Sequence, residues 1–225
     1  MGRILDLIFP KNIYCICCDD CIDDSRIHGL CDSCIDKISW SFENRFRFIM
    51  DEFSFDDVLP CCLYGSYARS IIYKMKLQSK PYVARAVGKI LADRVRLAKE
   101  EDDIYFDYIV PVPSTRKKER RRGYNQAKLM AIYTAEELRK KEADILIKLR
   151  DTKSARLSTG IERRFMQEGV FSISDEYKNK LKGKHILLVD DVITTGSTAN
   201  ECARILKEAG VAWVGVLCFA CAADV

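Results

Sequence analysis

The sequence has no apolar run long enough to cross a bilayer. Its longest uncharged apolar stretch, Val211 to Ala223, falls short of the ~20 residues that a membrane-spanning helix needs, and it suits a buried strand better. The N-terminal run "ILDLIF" is broken by Asp6 and is too short for the core of an export signal. The expectation is therefore a cytoplasmic protein without membrane insertion. Neither a Gly-x-Gly-x-x-Gly nor a Walker A sequence occurs, which removes the commonest nucleotide-phosphate loops. Internal repeats and low-complexity segments are also lacking.

What is present is unevenly distributed. Across 225 residues the formal net charge is +4, but residues 1–57 hold 6 Lys/Arg against 12 Asp/Glu. The remainder holds 31 against 21. An acidic head on a basic body directs any polyanionic partner to the body. At 48% hydrophobic residues, the chain can bury a sizeable core. The eleven cysteines, in a chain without an export signal, point to reduced thiols or metal rather than disulfides.

Six of those cysteines fall in "CICCDDCIDDSRIHGLCDSC", residues 15–34. Cys15-x-x-Cys18 and Cys31-x-x-Cys34 make two knuckles, and four thiolates suit a closed, structural zinc site. Cys18-x-x-Cys21 is an alternative first knuckle, and His28 an alternative ligand. So small and acidic a segment lacks the core to fold without a staple. Its charge argues that it docks protein, or its own body, rather than DNA. Cys218-x-x-Cys221 also has ligand spacing, but residues three apart on a strand face opposite ways. With Cys61, Cys62 and Cys202 they read as small apolar core residues.

Along the body, 58–65 reads as a strand and 82–99 as a helix with apolar residues near a 3.6 period. From about Tyr105, strands and helices alternate. Tyr108–Val112 reads as a strand, 123–141 as a helix, and 144–149 and 169–173 as strands. "HILLVD" is a strand, followed by a helix carrying Cys202, Ile205, Leu206 and Ala209 to its stop at Gly210, and "AWVGVLCFA" closes the sheet. This alternation predicts an α/β fold, a largely parallel sheet flanked by helices. The division expected is an N-terminal four-cysteine module and connector over 1–57 and an α/β domain over 58–225.

In such sheets ligands bind at the carboxyl ends of strands. Asp190 and Asp191 fall there, and Thr194, Thr195, Gly196, Ser197 and Thr198 lead into the next helix. A helix start offers unpaired N–H groups and a positive dipole end to a phosphate. Two carboxylates that accept hydroxyl protons, one sugar away from a phosphate site, describe a ribose 5-phosphate.

The string "ILLVDDVITTGST" resembles the phosphoribosyl diphosphate (PRPP) motif of type I phosphoribosyltransferases. That resemblance implies Asp190 and Asp191 over the ribose hydroxyls as catalytic residues. It implies Val192, Thr194, Thr195, Gly196, Ser197 and Thr198 as the PRPP/5-phosphate loop. It also places pyrophosphate on Ser114, Thr115 and Arg116, after the strand at 108–112. "PVP…RRRGYNQA", the four-cysteine module and "LSTGIERR" narrow the resemblance to the ComF/GntX family of phosphoribosyltransferase-like proteins, linked to competence and DNA uptake. It implies a PRPP-binding domain with Mg2+, a structural Zn2+ on Cys15, Cys18, Cys31 and Cys34, and the first knuckle soon after the "FP" element. Two departures fall in the substrate-covering region: 152–158 lacks a Gln and is one residue short, and Met166 replaces an Asn. The basic run Lys117, Lys118, Arg120, Arg121 and Arg122 is a second anion site or a contact for nucleic-acid backbone. The functions implied are glycosyl transfer from PRPP, PRPP sensing, or a nucleic-acid adaptor meeting single-stranded DNA and a DNA-import helicase.

Overall fold

The computed structural model describes residues 13–23, 25–41, 53–77, 80–102, 104–150 and 169–222. The departures at 152–158 and Met166 lie outside these residues. A short helix α1 (Asp32–Lys37) follows the first knuckle. Then come β1 (Asp57–Leu63), α2 (Ser66–Leu77), α3 (Pro81–Asp102), β2 (Tyr108–Pro111), α4 (Arg116–Arg122) and α5 (Gln126–Leu138). Two short strands, β3 (Lys141–Glu142) and β4 (Leu146–Lys148), precede β5 (Phe171–Ile173), β6 (His185–Ile193), α6 (Ser197–Glu208) and β7 (Trp213–Cys221).

Five strands form a parallel sheet in the order β1-β7-β6-β2-β3. The last strand therefore lies inside the sheet rather than at its edge. Continuous apolar runs in β6 and β7 suit strands covered on both faces. Side-chain alternation divides β6: Leu187 and Val189 join the layer beneath α2, α3 and α5. Ile186 and Leu188 join the layer containing α6 and β5.

The segments 144–149 and 169–173, expected as strands of an alternating β/α series, contribute β4 and β5. These pair antiparallel in a separate two-stranded sheet. The helix expected from Gly123 begins instead at Gln126, capped by the Asn125 side chain accepting from the Ala127 N–H. Gly123 ends a helix: at φ +84° it is the left-handed C-cap of α4, a conformation that costs glycine nothing. The basic run is itself that helix, since Arg, Lys and Glu are good helix formers.

Two features fix the layer that carries the site. Gly88 lets α3 and α5 approach closely, for a Cβ there would lie 2.5 Å from the Tyr133 Cβ. The Thr134 hydroxyl donates to the Gly88 carbonyl across this contact. The helix α2, for which the sequence reading made no prediction, buries Ala68, Ile71, Ile72 and Met75, one apolar stripe at i, i+3, i+4 and i+7.

Cys61, Cys62, Cys202, Cys218 and Cys221 are all buried and behave as the apolar core residues expected. Cys218 and Cys221 share one core layer instead of facing opposite ways. Among the described residues, neither belongs to a cluster that could hold a metal.

Candidate functional site

The sheet order reverses between β2 and β6. From β2 the chain moves outward to β3, then crosses back to β6 and β7. Loops after the strands on either side of such a reversal diverge and leave a crevice. β2 ends with Pro111 opposite Val189, and the Val112 N–H donates to the Val189 carbonyl at 2.9 Å. β6 continues to Ile193 beside β7. Asp190 and Asp191 thus lie just beyond the last residue of β2, on the edge of β6 that β2 leaves uncovered. Ser114 and Thr115 follow β2 at the same end of the sheet.

Strand alternation sends the two carboxylates to opposite faces. Asp191, only 7% exposed, points to the α2 layer, where Lys76 Nζ lies 2.8 Å from both of its oxygens. Burial works against the Lys76 charge, but Asp191 outweighs it and the net effect raises the Lys76 pKa. Asp190 faces the α6 layer, with the charges of Lys76 and Lys148 acting on it. Burial first, and then the Asp191 charge, push Asp190 up to about 7. The acid pair is therefore unequal: one member is held by a lysine, and the other is poised near neutrality.

The loop after β6 turns at Gly196, φ +68°, which forms the N-cap of α6 without a side-chain capping bond. The hydroxyls of Thr195 and Ser197 bond to each other at 2.8 Å. Thr194 is exposed, Val192, Thr195 and Thr198 are half-buried, and Ser197 is buried. Gly196 has a second reason to be glycine: a Cβ would lie 3.1 Å from the Phe53 ring. Phe53 stacks on Phe55 at 4.8 Å, and the Ser54 N–H donates to Asn200. The aromatic connector before β1 thus lies along the start of α6.

Thr115 is the N-cap of α4, its hydroxyl accepting from the Lys118 N–H; Ser114 is half-buried and Arg116 exposed. Lys117, Lys118, Arg120 and Arg121 are also exposed, while Arg122 turns inward and donates to Gln126. Tyr124 donates to the Met75 carbonyl at 2.7 Å, tying the segment between α4 and α5 to the end of α2.

The cysteine cluster is built from a different segment, residues 15–34. Ligand atoms of Cys15, Cys18, Cys31 and Cys34 lie within 4.8 Å of one another and can hold a metal ion. Cys18 and Cys31 sulfurs are 3.7 Å apart, close to the ~3.8 Å edge of a tetrahedron with Zn–S bonds of about 2.3 Å. Backbone N–H groups of Cys17 and Cys31 point at the Cys15 sulfur, each at 3.4 Å. Burial raises the Cys15 pKa, but the backbone donors outweigh it and the net value falls to about 7, favouring thiolate.

The two alternative ligands are engaged elsewhere or excluded. His28 Nε2 bonds Asp93 on α3 at 2.6 Å, and Cys21 is exposed outside the cluster. The knuckle docks on its own chain. Lys74 and Lys80 both hold Asp19, and Ser70 donates to the Cys17 carbonyl. Cys15, Leu30 and Ile38 share the core layer of α2 and α3.

Residues 133–224 match the phosphoribosyl transferase domain family, a span that includes β6, its loop and α6. The chain is 28% identical to the Competence protein F of Haemophilus influenzae over 86% of this chain and 85% of that one. It is 28% identical to the DNA utilization protein YhgH of Escherichia coli O157:H7, over 66% of this chain and 64% of that one. The chain is thus similar to ComF-like competence and DNA-utilization proteins, and in part to phosphoribosyl transferase domains. It also shares 36% identity with the Competence protein ComFC of Bacillus subtilis, over 46% of this chain and 40% of that one. The fold is a parallel sheet flanked by helices whose part over 133–224 matches phosphoribosyl transferase domains, with the cysteine cluster at its N-terminal side. No helix among the described residues is long and apolar enough to cross a membrane.

Lys76 is the residue of the site that sequence reasoning missed. Its only sequence signal is its place on α2, one residue after the buried stripe.

Proposed function

We propose that the chain is a competence-related protein whose phosphoribosyltransferase-type domain binds the ribose 5-phosphate part of PRPP. One observation carries this: an unequal acid pair at the sheet's reversal point is followed by a left-handed glycine and the N-terminus of a twelve-residue helix. N–H groups of the loop at Gly196 to Thr198 suit the 5-phosphate, and the carboxylates accept from the ribose hydroxyls. Ser114 to Arg116 lie on the diphosphate side. Mg2+ enters with the ligand, held mostly by the ligand's oxygens. The domain acts by positioning the sugar and stabilising the departing diphosphate, without a nucleophilic side chain. Residues 1–57 form a module whose Cys15, Cys18, Cys31 and Cys34 hold a structural Zn2+.

Calorimetric titration of Mg-PRPP should give saturable heat with wild type and none with the Asp190→Asn/Asp191→Asn variant. Equal heats in both proteins would refute the assignment. Pyrophosphate release with a panel of bases then separates transferase from sensor. A second reading rests on the exposed cations of α4, Arg116, Lys117, Lys118, Arg120 and Arg121, which suit a single-stranded DNA backbone in the manner of an adaptor serving a DNA-import helicase. Such binding weakens with salt.

A further inference from the structure

The helix α2 touches the knuckle along one side and the acid pair at its end. Ser70 donates to the Cys17 carbonyl at 3.1 Å, and the Cys17 sulfur donates to the Tyr67 carbonyl at 3.7 Å. Lys74 Nζ lies 2.8 Å from Asp19, and two residues later Lys76 Nζ lies 2.8 Å from Asp191. Successive helical residues turn by about 100°, so these two lysines leave α2 roughly 200° apart. One reaches the knuckle and the other reaches β6.

Lys74 is buried, its side chain only 6% exposed, and Asp19 is the carboxylate that compensates its charge. A buried ammonium is tolerated only when it is paired. Lys80 reaches the same carboxylate at 3.2 Å. Asp19 stands at φ +66°, a left-handed conformation that Asp and Asn tolerate better than other side chains with a Cβ. Its N–H donates to the Cys15 carbonyl at 3.0 Å, so the knuckle fixes its place.

We propose that Asp19 is a positioning residue for the acid pair: by holding Lys74 it fixes the last turn of α2 and keeps Lys76 on Asp191. The proposal deepens the ribose-phosphate reading and rests on it only for the consequence at the ligand. Without the Asp19 charge, Lys74 must move toward water. Lys76, two residues along the same turn, moves with it. Asp191 then loses its counter-charge, and so does Asp190, on which Lys76 also acts. The Tyr124 bond to the Met75 carbonyl retains the helix, so the effect is a local loosening rather than unfolding.

The test uses the full chain and reads Lys76 directly. Burial works against the Lys76 charge but Asp191 outweighs it, so the paired amine holds its proton and acylates slowly. Asp19→Asn keeps the backbone conformation and the side-chain size while removing the charge. Acylation of lysine amines, located residue by residue by mass spectrometry, should then be faster at Lys76 by roughly 2- to 30-fold, the span of coupling carried through packed elements. Lys184, paired with Asp107 before β6, should react as in wild type, and zinc content should be unchanged. The Asp19→Asn/Lys74→Met double variant removes the bared cation and should return Lys76 to its wild-type rate. Calorimetry with ribose 5-phosphate should show weakening by a few fold in the single variant and recovery in the double.

Unchanged acylation of Lys76 in the single variant, or an increase that the double variant does not reverse, would overturn the proposal. Equal acceleration at Lys184 would reduce Asp19 to a merely structural role and overturn it as well. Wild type that does not bind ribose 5-phosphate, with Lys76 acylation still dependent on Asp19, would overturn the ribose-phosphate reading and leave the positioning role standing.

Discussion

The four-cysteine knuckle and the acid cluster are assembled by opposite means. The knuckle draws its four sulfurs from Cys15 to Cys34, so local spacing almost defines it. The acid cluster unites Lys76 with Asp191 across 115 positions. The first is a staple for a segment too small to fold on burial alone; the second exists only once the sheet has formed. Stapled sites lose structure when a ligand is removed, whereas assembled sites lose function first.

That contrast sets the order of expected effects. Replacing a cluster cysteine, as in Cys15→Ser, should cost the most. Zinc content by mass spectrometry should fall below stoichiometric, and stability should drop by at least ~3 kcal/mol, or roughly 6–12 °C in Tm. Full retention of zinc and Tm would place the metal elsewhere or nowhere.

Asp190→Asn should act in the opposite direction on stability. A carboxyl whose pKa rises on folding, here to about 7, keeps its proton better in the folded state. Its ionisation therefore opposes folding, and stability is lost as pH climbs from the ordinary carboxylate range toward 7. The asparagine variant should gain Tm relative to wild type at pH 8 compared with pH 5, while losing ligand binding. A difference that does not vary with pH would contradict the unequal acid pair. Smallest of all should be Asp93→Asn, which weakens the partly exposed His28 contact. A shift under about 1 kcal/mol in a denaturant melt is expected, and a larger one would mean that the knuckle depends on this contact rather than on its sulfurs.

The same contrast explains what could be read from the sequence. "HILLVDDVITTGST" encodes strand, acids, loop and helix start in one string, and all four appear where expected. The cysteine spacing likewise names its cluster, and geometry then removes Cys21 and His28 from it. No helix was expected at Arg116 to Arg122, because a basic run shows no apolar periodicity, although its residues favour helix and Gly123 stops it. β4 and β5 misled because a short apolar run does not say which partner it will find or in which direction. Lys76 was illegible for the deepest reason: nothing near it in sequence announces an acid 115 positions away.

The central claim is that the loop from Thr194 to Thr198, with Asp190 and Asp191, receives a ribose phosphate. Amide hydrogen exchange of the whole protein with and without ribose 5-phosphate tests it most directly. The account predicts slowed exchange at the amides of 194–199, at the turn into α6, with the knuckle at 15–34 unchanged. Saturating ligand that leaves the loop's exchange unaltered, or that protects some other segment instead, would contradict it.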